Sequence, residues 1–391
     1  MGKRTFSILL MAAFSASLGL GVISPFLPEL VGRHRANGLW IAAIFTGFAL
    51  SRAIVMPFVG RLSDRYGRKI FVAGGLLLFA VISLFYPKAH SLFSLTLVRM
   101  VHGLAAGMII PIVVAYAAEC ATEGERGTTS GWLLMMFYFG LATGPFMGGF
   151  INQELGFAYV FYAMAFMAFI AFLIVLFFLK DSKDEQLQAH RENAIPFREL
   201  IKYNYIKAVL LIAVVTTVLI VIFMAFVPSL AAQLNIDPDH IGIIISVGIL
   251  LAGALQIPFG KFSDRLNRTG KLLQISAGTS VSMIALFVMP FCPDFAALLV
   301  AGSFLGLGSA ISMPAIMSLS MSIGDEAGMG SWMGIINSAR SIGFMGAPLI
   351  AGVVMDHMGV SMVFYVMGVL VFFCGGLYLY FVYRRLTGHV T

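Results

Sequence analysis

Hydrophobic positions along this chain fall in long unbroken runs rather than in alternation. Twelve runs stand out, at about residues 6–29, 39–59, 70–86, 93–118, 129–151 and 158–179, then 205–232, 241–259, 272–290, 296–322, 331–353 and 361–383. Each is near the roughly 20 residues that a helix needs to cross a bilayer. Continuous runs predict helices, because the strands of a membrane barrel would alternate apolar and polar positions. Polar residues are confined to short connections, with one longer stretch at 181–204. The pattern therefore predicts an all-α membrane protein of 12 transmembrane helices in two bundles of six, residues 1–180 and 205–391, joined by the linker 181–204.

The second regularity is a repeat. Gly60-Arg-Leu-Ser-Asp-Arg-Tyr-Gly-Arg-Lys69 joins the second and third runs, and Gly260-Lys-Phe-Ser-Asp-Arg-Leu-Asn-Arg-Thr-Gly-Lys271 joins the eighth and ninth. Gly60, Ser63, Asp64 and Arg65 recur as Gly260, Ser263, Asp264 and Arg265, an offset of 200 residues. A basic segment that returns at half the chain length marks two pseudo-symmetric copies of one unit. The first copy reads as a short hairpin. Gly60 is expected to let a helix end close to a neighbour, and Gly67 to permit a tight return. In the second copy Asn267 stands in place of Gly67, and Thr269 in place of Lys69.

Composition agrees with the membrane reading. Hydrophobic residues make up 60% and charged residues 11% of the 391, against about 25% charge in soluble domains, and mean hydropathy is +0.95. The net charge of +7 would suggest nucleic acid on a soluble protein. Here its distribution sets topology instead. With the N-terminus inside, 19 Lys and Arg fall on the inner side and 3 on the outer, which places both termini, the linker and both repeated loops in the cytoplasm of a bacterial inner membrane. Lys3 and Arg4 precede a run too long for a cleaved signal, so it reads as a first span. Cys120, Cys292 and Cys374 have no metal or disulfide spacing, and no phosphate-cradling Gly-x-x-x-x-Gly-Lys occurs. No metal, cofactor or enzyme activity is expected, and a monomer without a nucleic-acid partner is.

Two six-helix halves, the central linker and the duplicated Gly-x-Leu-x-Asp-Arg-x-Gly-Arg-Lys loop resemble the major facilitator superfamily over essentially the whole chain. Gly140-Leu-Ala-Thr-Gly144-Pro145-Phe-Met-Gly148-Gly149 resembles the span 5 motif of its 12-span drug–proton antiporters, and Arg99 with Gly103 resembles its span 4 Arg-x-x-x-Gly motif. The resemblance implies a gate built from Gly60, Asp64, Arg65, Gly67, Arg68, Lys69, Asp264 and Arg265, together with Gly140, Gly144, Pro145, Gly148 and Gly149. Asp64 would help close the cytoplasmic side in the outward-open state. Independently of the family, glycines four apart place bare backbone on one helix face, and Pro145 removes a backbone donor.

Charged residues inside spans are costly and point to a cavity. Arg52, Arg99 and Arg340 are such residues, and no acid falls in the middle of any run. By position, Arg52, Arg99, His102, Tyr138, Phe223, Met224, Gln256, Asn337 and Arg340 are expected to line a midplane substrate cavity. Arginines without an opposing carboxylate favour an anionic or zwitterionic ligand. The reading is proton-coupled efflux of a small amphipathic or anionic compound by alternating access, with Glu29, Asp64 or His102 exchanging the proton. Rivals are a lipid or glycolipid flippase, whose substrate would stay partly in the surrounding lipid, an organic-anion importer or facilitator, and, more remotely, a membrane receptor.

Overall fold

In a computed structural model, residues 3–22, 26, 38–120, 126–179, 204–327 and 329–386 are described. Twelve helices among them are long and apolar enough to cross a membrane. Spans 1 to 6 are Lys3–Gly21, Gly38–Tyr66, Arg68–Ser83, Leu92–Cys120, Arg126–Leu155 and Phe157–Phe178. Span 7 is Asn204–Gln233, and span 8 is broken at Leu255 into Pro238–Ala254 and Gln256–Asp264. Spans 9 to 12 are Arg268–Val288, Phe295–Ala327, Met329–Met358 and Val360–Leu386. The linker 181–204 lies outside the described residues except for its last position.

The repeat extends well beyond the basic loops. Span 4 carries Pro111 and span 10 carries Pro314, while span 5 carries Pro145 and span 11 carries Pro348. Spans 3 and 9 both end in a 3-10 turn containing a proline, Tyr86–Lys88 and Met289–Phe291. Gly156 joins spans 5 and 6 at φ +95, and Gly359 joins spans 11 and 12 at φ +86. These are one-residue joints between helices, with a backbone conformation that a side chain disfavours.

The first basic segment is not the hairpin that its polarity suggests. Span 2 stays helical through Tyr66, span 3 starts at Arg68, and the whole turn is Gly67 at φ +95. Gly60 sits inside span 2 and has nothing within 4 Å of where a Cβ would stand, so a close helix approach does not explain it here. The second copy turns differently. Arg265, Leu266 and Asn267 separate the helices, none at positive φ, and the Asn267 side chain accepts the Gly270 N–H at 2.8 Å. A three-residue joint with an asparagine N-cap needs no glycine, which accounts for Asn267.

Between helices that share lipid as solvent, close backbone packing supplies much of the attraction. Gly103 of span 4 lies against the Phe48 carbonyl of span 2, Gly306 of span 10 against the Gly248 carbonyl of span 8, and Gly278 of span 9 against the Gly308 carbonyl of span 10. On the perimeter, Phe166 and Phe177 of span 6 and Phe372 and Phe373 of span 12 are exposed, as suits side chains that meet hydrocarbon.

The halves meet along two antiparallel helix pairs. Spans 2 and 11 touch from Gly38 against Gly352 to the Thr46 hydroxyl, which donates to the Met345 carbonyl at 3.1 Å. Spans 5 and 8 touch from Gly149 against Asp239, through Gly242 on the Pro145 carbonyl, to Gly253 on Tyr138. Both seams thus run inward from one face of the bundle, marked by Gly38 and Asp239. Past Tyr138 and Arg52, toward the face marked by Gly67, Ile54, Phe58 and Leu62 of span 2 and Ile257 and Phe262 of span 8 are exposed.

Glycine substitutions separate packing from propensity. Gly306→Ala drives a methyl into the Gly248 backbone and is expected to cost about 1–3 kcal/mol. Gly346→Ala meets nothing within 4 Å, and should be neutral or stabilising by up to about 1 kcal/mol through helix propensity. Thermal unfolding in detergent reads both; similar midpoints would contradict the seam between spans 8 and 10.

Candidate functional site

Where the two seams converge lies a cavity of about 160 Å³, lined from spans 1, 2, 4, 5, 7, 10 and 11. Span 8, expected to contribute, supplies none of its lining. Much of the wall is apolar and aromatic, with Phe45, Phe48, Phe137, Phe344, Met56 and Met224. The polar part includes Arg52, Arg99 and Arg340, with Tyr138, Asn337 and the hydroxyls of Thr217 and Ser341. No carboxylate of the described residues lines it.

The three arginines are held differently. Arg99 is 1% exposed. Its Nη1 donates to the Gly19 carbonyl of span 1 at 3.1 Å, its guanidinium lies 4.6 Å over the Phe48 ring, and it lies close to the Tyr86 hydroxyl. Arg99 therefore ties spans 1, 2 and 4 to the end of span 3. Arg52 and Arg340 face the same space from opposite halves and repel one another electrostatically. Arg340 makes a weak contact from Nη2 to the Met313 sulfur at 3.7 Å. The Nε of all three arginines is buried without a hydrogen-bond partner, but of the three only Arg99 has its guanidinium engaged by a backbone carbonyl, at Nη1. Buried donors of this kind are costly unless an acceptor reaches them.

Tyr138 on span 5 spans the seam, since its hydroxyl lies close to Ser309 of span 10 and Gln256 of span 8. Gln256 follows the break at Leu255, so that break brings an amide to the cavity edge without placing it in the wall. Asn337 and Met224 are in the wall.

Two further residues expected in the lining, besides Gln256, are elsewhere. His102 is fully buried in the first half: its Nδ1 hydrogen-bonds the Tyr86 hydroxyl at 2.7 Å, and its ring meets Phe79 edge-on at 4.0 Å. One helical turn from Arg99, it points away from the cavity because Gly19, with no side chain, leaves room for its ring and that of Phe79. Phe223 is buried in the second half against Gly248 and Gly302, beside a separate pocket of about 20 Å³ lined by hydroxyls including Thr279 and Ser282. Tyr86, the bridge between Arg99 and His102, was missed because a Tyr-Pro-Lys end of an apolar run carries no buried-polar signal.

The span 5 glycines divide their work. Gly140, Gly144 and Gly148 lie against the backbone of span 1, at Phe14, Leu18 and Val22. Gly149 faces Asp239 across the seam. Pro145 lacks the N–H that would bond the Leu141 carbonyl, and that carbonyl lies against Gly21. The helix runs on to Leu155 regardless. At the basic segments, Arg68 is buried, Lys69 is half-buried, and Asp264 and Arg265 are exposed. The side chains of Asp64 and Arg65, and all of Glu29, lie outside the described residues.

Comparison with known proteins is consistent along the full length. The family profile described as Major Facilitator Superfamily matches residues 9–229 and again 209–390. The chain is 26% identical over 357 residues to the quinolone resistance protein NorA of Staphylococcus aureus strain COL, covering 91% of each. It is 27% identical over 354 residues to multidrug resistance protein 1 of Bacillus subtilis strain 168, covering 90% of each. Among solved structures, the human organic anion transporter MFSD10 (TETRAN) superposes with a TM-score of 0.72 at 16% identity, covering 96% of this chain and 99% of that one. With a twelve-span fold, a repeated half and a family match across both halves, the chain belongs to the Major Facilitator Superfamily of transporters.

Proposed function

We propose that this transporter exports a small amphipathic anion, driven by inward proton flow, through alternating access of its two halves. The observation that carries the substrate class is the pair Arg52 and Arg340, which enter one cavity from opposite halves with unpartnered Nε donors and no carboxylate among the described residues of the wall. An anion between them offsets their repulsion and satisfies buried donors, while Phe45, Phe137 and Phe344 take an apolar or aromatic body. Arg99 is already engaged with Gly19, Phe48 and Tyr86, so its part is to hold the first half together. The direction rests on the relatives, which are named for resistance to quinolones and to multiple drugs. With the basic segments in the cytoplasm, as their charge argues, the seams at Gly38 and Asp239 close the outer side.

The proton is assigned to Glu29 or Asp64. His102 is sealed between Tyr86 and Phe79, away from the cavity. Movement of the substrate exchanges which face is closed, and only a ligand with differential affinity for the two states can drive that exchange.

In proteoliposomes, an acidic lumen should drive accumulation of an aromatic carboxylate, since antiport works in either orientation of the protein. Accumulation driven instead by an acidic exterior would mean symport and overturn the export reading. Arg52→Gln and Arg340→Gln should each weaken substrate binding by about tenfold, the worth of a hydrogen bond to a charged group. Arg99→Gln should chiefly lower the thermal midpoint. The reverse ranking would remove the anion site from this cavity.

On coupling, His102→Gln should keep the gradient dependence, and Glu29→Gln or Asp64→Asn should abolish it. Retained coupling in both acid variants would refute the assignment. Asp64→Asn should also reduce transport roughly tenfold by weakening closure of its face, with Asp264→Asn doing less at its longer, asparagine-capped joint. Equal losses would contradict that asymmetry.

A further inference from the structure

Asp356 lies near the end of span 11, where a carboxylate next to lipid headgroups would be unremarked. Its side chain instead reaches into the other half. Oδ1 accepts the Gly38 N–H, and Oδ2 accepts the Leu39 N–H at 3.2 Å. Gly38 and Leu39 open span 2, so these are two of the amides that a helix start cannot satisfy internally. Such groups are ordinarily capped from the residue just before the helix. Here the cap comes from a residue 318 positions away, on the opposite bundle.

The fit is close on the backbone side as well. Gly38 is buried, and a Cβ there would stand 2.7 Å from the Gly352 carbonyl, so the absence of a side chain lets the carboxylate reach the amides. The remaining seam bonds of this face are neutral: Thr46 to the Met345 carbonyl, and Ser246 to the Ala142 carbonyl at 2.6 Å. Among the described residues, Asp356 is the one carboxylate bonded across the halves. A negative charge at the positive end of a helix dipole adds to what the hydrogen bonds contribute.

We infer that Asp356 is a gating residue of the transport cycle, a charged cap supplied in trans that holds the Gly38 face closed. Its two partners ride on different halves, so the bond exists only while this seam is shut, and its whole free energy biases that state. Opening the face strips the carboxylate from the helix and hands the Gly38 and Leu39 amides to water. The family resemblance gives Asp64 a closing role at the opposite face, so that each face would have one carboxylate favouring its closed state. The inference uses alternating access but not the anion or the proton of the proposed function, so it can fail while those stand.

Paired spin labels test it directly. On a background free of Cys120, Cys292 and Cys374, labels at Tyr159→Cys and Met362→Cys mark the Gly38 face on the two halves. Labels at Ile70→Cys and Leu273→Cys mark the other face, and all four positions are exposed. Asp356→Asn places an amide donor where an acceptor is needed. It should raise the ratio of long to short distances at the Gly38 face by about fivefold, with matching shortening at the other face. Leu39→Pro leaves the acid in place and deletes one donor at a first-turn position that tolerates proline, so it should shift the ratio in the same direction by less. This second variant keeps the test open if Asp356→Asn folds poorly. Unchanged distances in Leu39→Pro, or a lowered thermal midpoint with unchanged distances in Asp356→Asn, would make Asp356 a static cap and overturn the gating role.

Discussion

Two guanidinium groups that share one buried space from opposite sides set the terms for the rest of this molecule. Arg52 and Arg340 are carried on spans 2 and 11, which are also the helices that form one of the two seams. Bringing the halves together therefore brings like charges together, in surroundings where water does little to screen them. The cavity wall holds no described carboxylate that could relieve the repulsion. Each rearrangement of the halves changes the spacing of this pair, so an anion placed between them is coupled to the movement by electrostatics alone.

For such a pair to act on whole bundles, each bundle must move as a unit. The glycine contacts supply that property. Within the first half, Gly140, Gly144 and Gly148 lock span 5 to span 1, and Gly103 locks span 4 to span 2. Arg99 then joins spans 1, 2 and 4 through Gly19 and Phe48, and continues through Tyr86 to His102. Within the second half, Gly306 on Gly248 and Gly278 on Gly308 do the same for spans 8, 9 and 10. The seams between the halves use glycine contacts too, at Gly38, Gly149, Gly242 and Gly253, and add polar bonds to them. Those bonds are few: the hydroxyl-to-carbonyl bonds of Thr46 and Ser246, and the Asp356 carboxylate on span 2. Backbone packing that links several spans inside each half, with two glycine-packed seams whose few polar bonds can exchange, fits two bodies that move against one another.

Much of this was legible in the sequence, for identifiable reasons. Lipid imposes a length on every helix and forbids unsatisfied backbone, so apolar runs translate into spans with little ambiguity. The cost of a membrane charge made Arg52, Arg99 and Arg340 stand out, and all three reach the cavity. What a run cannot show is which way a side chain points. His102 and Phe223 sit at plausible depths, yet both turn into their own half, because Gly19 in one case and Gly248 and Gly302 in the other leave space there. Nor does a polar loop show where helix ends: Gly60 through Tyr66 read as hairpin but continue span 2, and one positive-φ glycine makes the turn. Asp356 could be placed at a helix end from sequence, but its partner is a pair of backbone amides, which carry no residue-type signature at all.

The central claim is that the cavity selects a negative charge with an apolar body. Equilibrium binding of an aromatic carboxylic acid, compared with its uncharged methyl ester, tests it most directly because the two share shape and apolar surface. The account predicts that the ester binds at least about tenfold more weakly to the native protein, and that this difference disappears in the Arg52→Gln, Arg340→Gln double variant. Equal affinity of the native protein for acid and ester would contradict it.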